Sequence, residues 1–284
     1  MSRFLDRCAR LSVLYQKRFM APNLRACGDV ATNPWASLKF FLRGYAFERQ
    51  GRSRDYAPAA VDAVQEVSDL PLRAVVATPV WDAFSRRLDG QKLNHKNNPL
   101  CPQGCRYGEA NQHTTVGKSA VEMAADIPGQ QPLVAWSCTM LRSGAVRKAH
   151  KEIDAINGIG PKIASFFLRD VATHCGIRLS KERESLQPID TWVQFVARQV
   201  SGDKKMTAKA CARLIVGQTA EPEQVDQGIW YFCTQVARSS QYLVKQSIGD
   251  SSKFVAAARE HLDRLAADGA IAKRLRPTFG GLAE

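Results

Sequence analysis

Between Ala145 and Val171 the chain spells two amphipathic helices separated only by a glycine-hinged turn, and that arrangement leaves few choices of fold. Val146, Ala149, Ile153 and Ile156 recur at helical spacing. Ile163, Phe166, Phe167 and Val171 give the following segment an apolar face of its own. Asn157 and Gly158 both tolerate the left-handed conformation of a helix C-cap, so the first helix is expected over 145–156. Pro161 then opens the second helix at its first position, where the missing N–H costs nothing. The expectation is a helix-hairpin-helix over 145–173. No segment elsewhere alternates with the strand period for long enough to propose a sheet, so the fold class is read as all-α.

A turn of the form Gly158-Ile159-Gly160 removes the side chains that would hold another backbone away. The free N–H groups at the start of the following helix point outward, with the positive end of the helix dipole behind them. That is a site for a phosphate. Asn157, Gly158, Ile159 and Gly160 are therefore the candidate backbone-gripping residues. The plain alternative is an antiparallel helix pair with a glycine turn. Two features favour the anion site: a formal charge of +13, which asks for a polyanionic partner, and the sequence Gln187-Pro188-Ile189-Asp190-Thr191-Trp192 that follows.

At these residues the chain resembles the helix-hairpin-helix DNA glycosylases, whose hairpin is followed by a Gly/Pro-rich loop and an aspartate. The resemblance implies a two-lobed helical fold with the base cleft between the lobes. It implies that Lys162, shortly after the second hairpin glycine, is the lysine of members that also cut the strand, and that Asp190 is the family aspartate. By the same analogy residues 61–185 form the hairpin lobe, residues 1–60 and 186–284 form the other, and Lys162 and Asp190 face each other across the cleft. Asn157 stands where a proline is common, and the segment between Lys162 and Asp190 is longer than in most relatives.

The chemistry of those residue types agrees. Breaking an N-glycosidic bond builds positive charge on the sugar, which a carboxylate stabilises. A lysine amine can attack the sugar carbon, form a Schiff base and permit strand scission by elimination. Asp190 also reads as a helix N-cap before the apolar face of Trp192, Val193, Val196 and Val200. The two roles are compatible.

A later stretch bears on the base. Gln227 and Tyr231 lie four apart on an expected helix, which puts both on one face. They resemble the glutamine and aromatic with which the 8-oxoguanine glycosylases read a flipped purine by its edge and its ring. Phe166, one turn beyond Lys162, is a further candidate pocket wall. The competing reading has Tyr231 in the core and Gln227 at the surface.

Residues 86–119 are poor in aliphatic side chains and read as a long exposed loop. Asn97 and Asn98 in it are a candidate for the strand-gap loop of the oxidised-guanine enzymes. His95, Cys101, Cys105 and His113 could gather a zinc ion, but their spacing is irregular, and no metal or other cofactor is expected. The closely spaced cysteines of the iron–sulfur glycosylases are missing, since only Cys211 and Cys233 follow Asp190. Trp35, Phe40, Phe41, Tyr45 and Phe47, at helical spacing, read as core rather than as a base-stacking surface. Further helices are expected over 57–67 and 75–88.

Eight scattered cysteines and no secretory signal point to reduced thiols in the cytoplasm. No apolar run is long enough for a membrane span. A cytoplasmic monomer is the default. The function expected is a glycosylase with lyase activity on duplex DNA carrying a damaged base, first of all 8-oxoguanine. Another damaged base, a hypermodified base of foreign DNA, and a non-catalytic hairpin protein that only grips backbone are the alternatives.

Overall fold

A computed structural model describes residues 2–47, 57, 61–62, 71–76 and 111–268. Every regular element among the described residues is helical and none is a strand, so the protein is all-α over that range. The chain divides into two compact units: residues 1–18 with 187–284, and residues 19–186.

In the first unit the Ser2–Tyr15 helix buries Phe4, Leu5, Cys8, Leu11 and Leu14, a stripe repeating every three or four residues. It packs against the Pro222–Tyr231 helix. Phe4 sets its ring edge on Phe232 at 5.7 Å and on Phe254 at 5.5 Å, and Phe232 and Phe254 stack at 4.5 Å. Three further helices of this unit start on side-chain caps. Thr207, Ser240 and Asp250 accept from backbone N–H groups at the heads of Ala208–Gln218, Gln241–Gly249 and Ser251–Ala267.

In the second unit the core is built on the aromatic segment after Asn33, which caps the Pro34–Phe41 helix. Trp35, Phe40, Phe41, Tyr45 and Phe47 are all buried, as their helical spacing implied. Phe41 and Tyr45 meet Phe167 edge-on at 5.0 and 5.3 Å. The Tyr45 hydroxyl donates to Asp170 at 3.1 Å, and the same carboxylate takes the fully buried Arg169 guanidinium at 2.9 Å. A buried charge pair is tolerable only when it is satisfied in this way. These contacts move the boundary expected at residue 60. The segment 19–47 belongs with the hairpin, because its aromatic face is completed by Phe167, and only residues 1–18 join the part after 187.

Three further expectations change. The polar run 111–119 is not loop: Asn111–Asp126 is one helix, anchored by the buried Ala120, Val121, Ala124 and Ala125. Once those turns are fixed by packing, extending the helix backward through polar residues needs no apolar face. Of the helix expected over 75–88 only residues 75 and 76 are described, within a helix Leu72–Val76 that starts before the expected bound. Finally, the cysteines are not all thiols. Cys138 and Cys175 form a disulfide, their Cα atoms 6.6 Å apart, because the helices that carry them pack together. Cys8, Cys27, Cys211 and Cys233 are free and buried. No helix among the described residues is long and apolar enough to cross a membrane.

Candidate functional site

The hairpin forms as Val146–Asp154 and Pro161–His174. The first helix stops two residues sooner than its apolar pattern suggests, and Gly158 alone takes the left-handed conformation, at φ 77°. Ile159 turns inward and is buried, leaving Gly158 exposed above it. The Ile159 amide closes the turn on the Ile156 carbonyl at 2.9 Å, and the Asn157 amide donates to the Ser119 hydroxyl at 3.1 Å. His150 Nε2 lies 3.1 Å from both the Pro161 carbonyl and the Ser165 hydroxyl, tying one helix to the head of the other. The turn is therefore held from three sides.

Gly160 is the N-cap of the second helix, with φ −111°. Its carbonyl accepts from Ile163 and Ala164, but its own amide and that of Lys162 have no acceptor among the described residues. A Cβ placed on Gly160 would meet nothing within 4 Å. Neither backbone conformation nor internal packing requires glycine there. Lys162 is exposed on the same first turn.

Asp190 belongs to the other unit. It caps the Thr191–Ser201 helix, with Oδ1 accepting from the Trp192 and Val193 amides at 2.8 and 2.7 Å. It is half-buried. Burial pushes the neighbouring Cys233 thiol far above its ordinary range, and the Asp190 carboxylate adds to that shift. Two amides on one oxygen fix the carboxylate's orientation before any ligand arrives.

Gln227 and Tyr231 do share one face of the Pro222–Tyr231 helix, but that face is turned into the first unit. Both side chains are fully buried. The Gln227 carbonyl oxygen accepts from Gln16 at 3.1 Å, and the Tyr231 hydroxyl sits 2.9 Å from His261 Nε2. In this state neither offers surface to a base. Phe166 is half-buried against Tyr45, ring centroids 5.8 Å apart, and the Arg169 guanidinium lies 4.4 Å from its ring centre.

No family model, curated protein or solved structure matches the chain. What can be said of the site rests on its residues.

Asn97 and Asn98 lie outside the described residues, as do His95, Cys101 and Cys105, and of His113 only the helical backbone is described. Among the described residues no three His, Cys, Asp or Glu side chains gather as a metal site. The sequence reading missed Ser119 and His150, which hold the turn. For His150 a signal existed: it falls four residues after Val146 and three before Ile153, on the buried stripe of its helix. For Ser119, 38 residues from the amide it accepts, there was none.

Proposed function

We propose that the protein is a DNA glycosylase with an associated abasic-site lyase activity, acting on a damaged base in duplex DNA. The observation that carries this reading is Gly160: a glycine that the fold does not need, its own amide and that of Lys162 both open, with the Lys162 side chain exposed. A DNA phosphate approaching those amides meets the positive end of the Pro161–His174 helix. The charge of +13 supports long-range attraction to the same partner.

In this reading the open amides of Gly160 and Lys162 hold the backbone, while the Ile159 amide, expected to share in this, already donates to the Ile156 carbonyl. Asp190, oriented by its two cap hydrogen bonds, stabilises the sugar cation that develops as the base leaves. The Lys162 amine attacks the sugar C1′ and forms a Schiff base, and elimination then breaks the strand. A protein that only gripped backbone would have no use for Asp190 beyond capping.

Oxidised guanine is the first base to test, on the spacing of Gln227 and Tyr231. That choice rests on sequence, since both side chains are engaged inside the first unit. The test is borohydride trapping on duplexes carrying 8-oxoguanine, other lesions, a hypermodified base, or none. An adduct on a lesion duplex that disappears in Lys162→Gln supports the lyase and its nucleophile. Trapping only on a base other than 8-oxoguanine keeps the mechanism and discards the guanine assignment. No adduct and no base release on any duplex, with binding retained, overturns the enzyme reading and leaves a backbone-binding protein.

A further inference from the structure

The Cys138–Cys175 bond closes the chain around the whole hairpin. Cys138 lies on the Leu133–Arg142 helix and Cys175 caps the end of Pro161–His174, so the ring they close contains both hairpin helices and the turn between them. The two sulfurs have different surroundings. Cys138 is buried, whereas Cys175 is half-exposed and lines a groove of about 480 Å³. Arg142, Arg178 and Lys181 line the same groove and are exposed. Its one carboxylate among the described residues, Glu182, is held by Arg147, which pairs with it at 3.2 Å and donates its amide to it at 3.1 Å. The space beside the Cys175 sulfur is therefore positive, and it is roomy enough for a small molecule.

We propose that this groove is a thiol-exchange site for a small anionic thiol, and that exchange at Cys175 unclasps the hairpin. The incoming thiolate attacks Cys175 Sγ along the open side. A new sulfur–sulfur bond forms to Cys175, the Cys138–Cys175 bond breaks, and the electron pair leaves on Cys138 Sγ, which takes a proton from solvent. A second thiol of the same kind attacks the mixed disulfide and departs joined to the first, leaving Cys175 as a thiol. Two small thiols are oxidised to one disulfide while the protein disulfide is reduced to two thiols. The groove cations act on the first step by concentrating an anionic attacker next to Cys175, the more exposed of the two cysteines.

The experiment uses the full chain isolated without reductant. Peptide mapping is expected to find residues 138 and 175 in one linked peptide. Opening is then timed by mass with glutathione as the anionic probe and cysteamine as the cationic one, each rate normalised to its thiolate fraction. Glutathione is expected to react about tenfold faster at low salt, with the advantage shrinking in 0.5 M salt and in the exposed double variant Arg142→Gln, Lys181→Gln. The first adduct is expected on Cys175. Backbone amide exchange over 146–174 is expected to quicken once the bond opens, with the Thr191–Ser201 helix unchanged. Free thiols at 138 and 175 in the isolated protein, equal rates for the two probes, or a preference that survives the double variant would each overturn the exchange site. Opening without faster amide exchange over the hairpin would overturn the unclasping. None of these readouts involves DNA, so they stand apart from the glycosylase reading.

Discussion

The carbonyl oxygen of Cys8 lies where a side chain on Gly228 would begin: a Cβ built on Gly228 falls 1.6 Å from it. The Ser2–Tyr15 and Pro222–Tyr231 helices meet backbone to backbone at this point, and both partners are backbone atoms with no rotamer to yield. Gly228→Ala is expected to cost about 3 kcal/mol or more, at or beyond the upper end for overpacked cores. Urea unfolding with a probe in the first unit, such as Trp230 fluorescence, checks it. A loss below about 1 kcal/mol would show that the helices can part more easily than this packing allows.

Gly160 predicts the opposite pattern. Its Cβ would enter open space and its φ of −111° suits any residue. Gly160→Ala is expected to leave stability within about 0.5 kcal/mol and, if the proposed phosphate contact is made there, to weaken duplex DNA binding through the added methyl group. Filter binding and thermal melting on the same preparation test both halves. Unchanged affinity would detach the hairpin from DNA.

Asp190 carries a structural and a proposed chemical task, and two substitutions separate them. Asp190→Asn keeps an oxygen for the Trp192 and Val193 amides, so its stability is expected near that of the parent. Base release in the same variant is expected to fall about 100- to 1,000-fold as the charge opposing the sugar cation is lost. Asp190→Ala should lose the cap as well, about 1 kcal/mol. If the Asn variant releases base at the parental rate, Asp190 is a cap and nothing more.

His261 sets part of the acid stability of the first unit. Burial beside Tyr231, with Arg264, Arg18 and Arg238 adding positive charge, lowers its pKa from 6.5 to about 4. The unfolded chain therefore binds this proton more readily than the folded one. The contribution is complete above pH 6.5 and is lost as the pH falls from 6.5 toward 4. His261→Gln removes the titration, so the fall in melting temperature across that window is expected to be shallower than in the parent. Equal slopes would mean that His261 protonates as easily folded as unfolded.

Reducing Cys138–Cys175 releases a 37-residue separation. Loop-closure entropy puts the resulting loss of stability in the second unit at about 4 kcal/mol. Denaturant melts with and without reductant, read from the hairpin unit, measure it. The double variant Cys138→Ala, Cys175→Ala should melt like the reduced parent in both conditions.

The hairpin was legible because everything that makes it is local. Helical spacing of Val146 to Ile153, a glycine that accepts positive φ, and a proline at the first position of the next helix act over a few residues each. The cap role of Asp190 was legible for the same reason: the amides it binds are two and three residues away. The buried aromatics of 35–47 were legible as core, since large apolar side chains at helical spacing leave water wherever a partner exists. What those rings would pack against was not, and so the boundary expected at residue 60 moved to residue 18. Tyr231 faces His261 instead of an open pocket, 30 residues on. The amide of Asn157 finds Ser119 38 residues back, and Cys138 finds Cys175 across the entire hairpin. Such pairings depend on which helix faces meet, and helices of one amphipathic pattern can meet in several ways until close backbone contacts choose among them. Here Gly228 against Cys8 is such a choice, made by the tertiary structure and invisible in the sequence, where it is one glycine among nineteen.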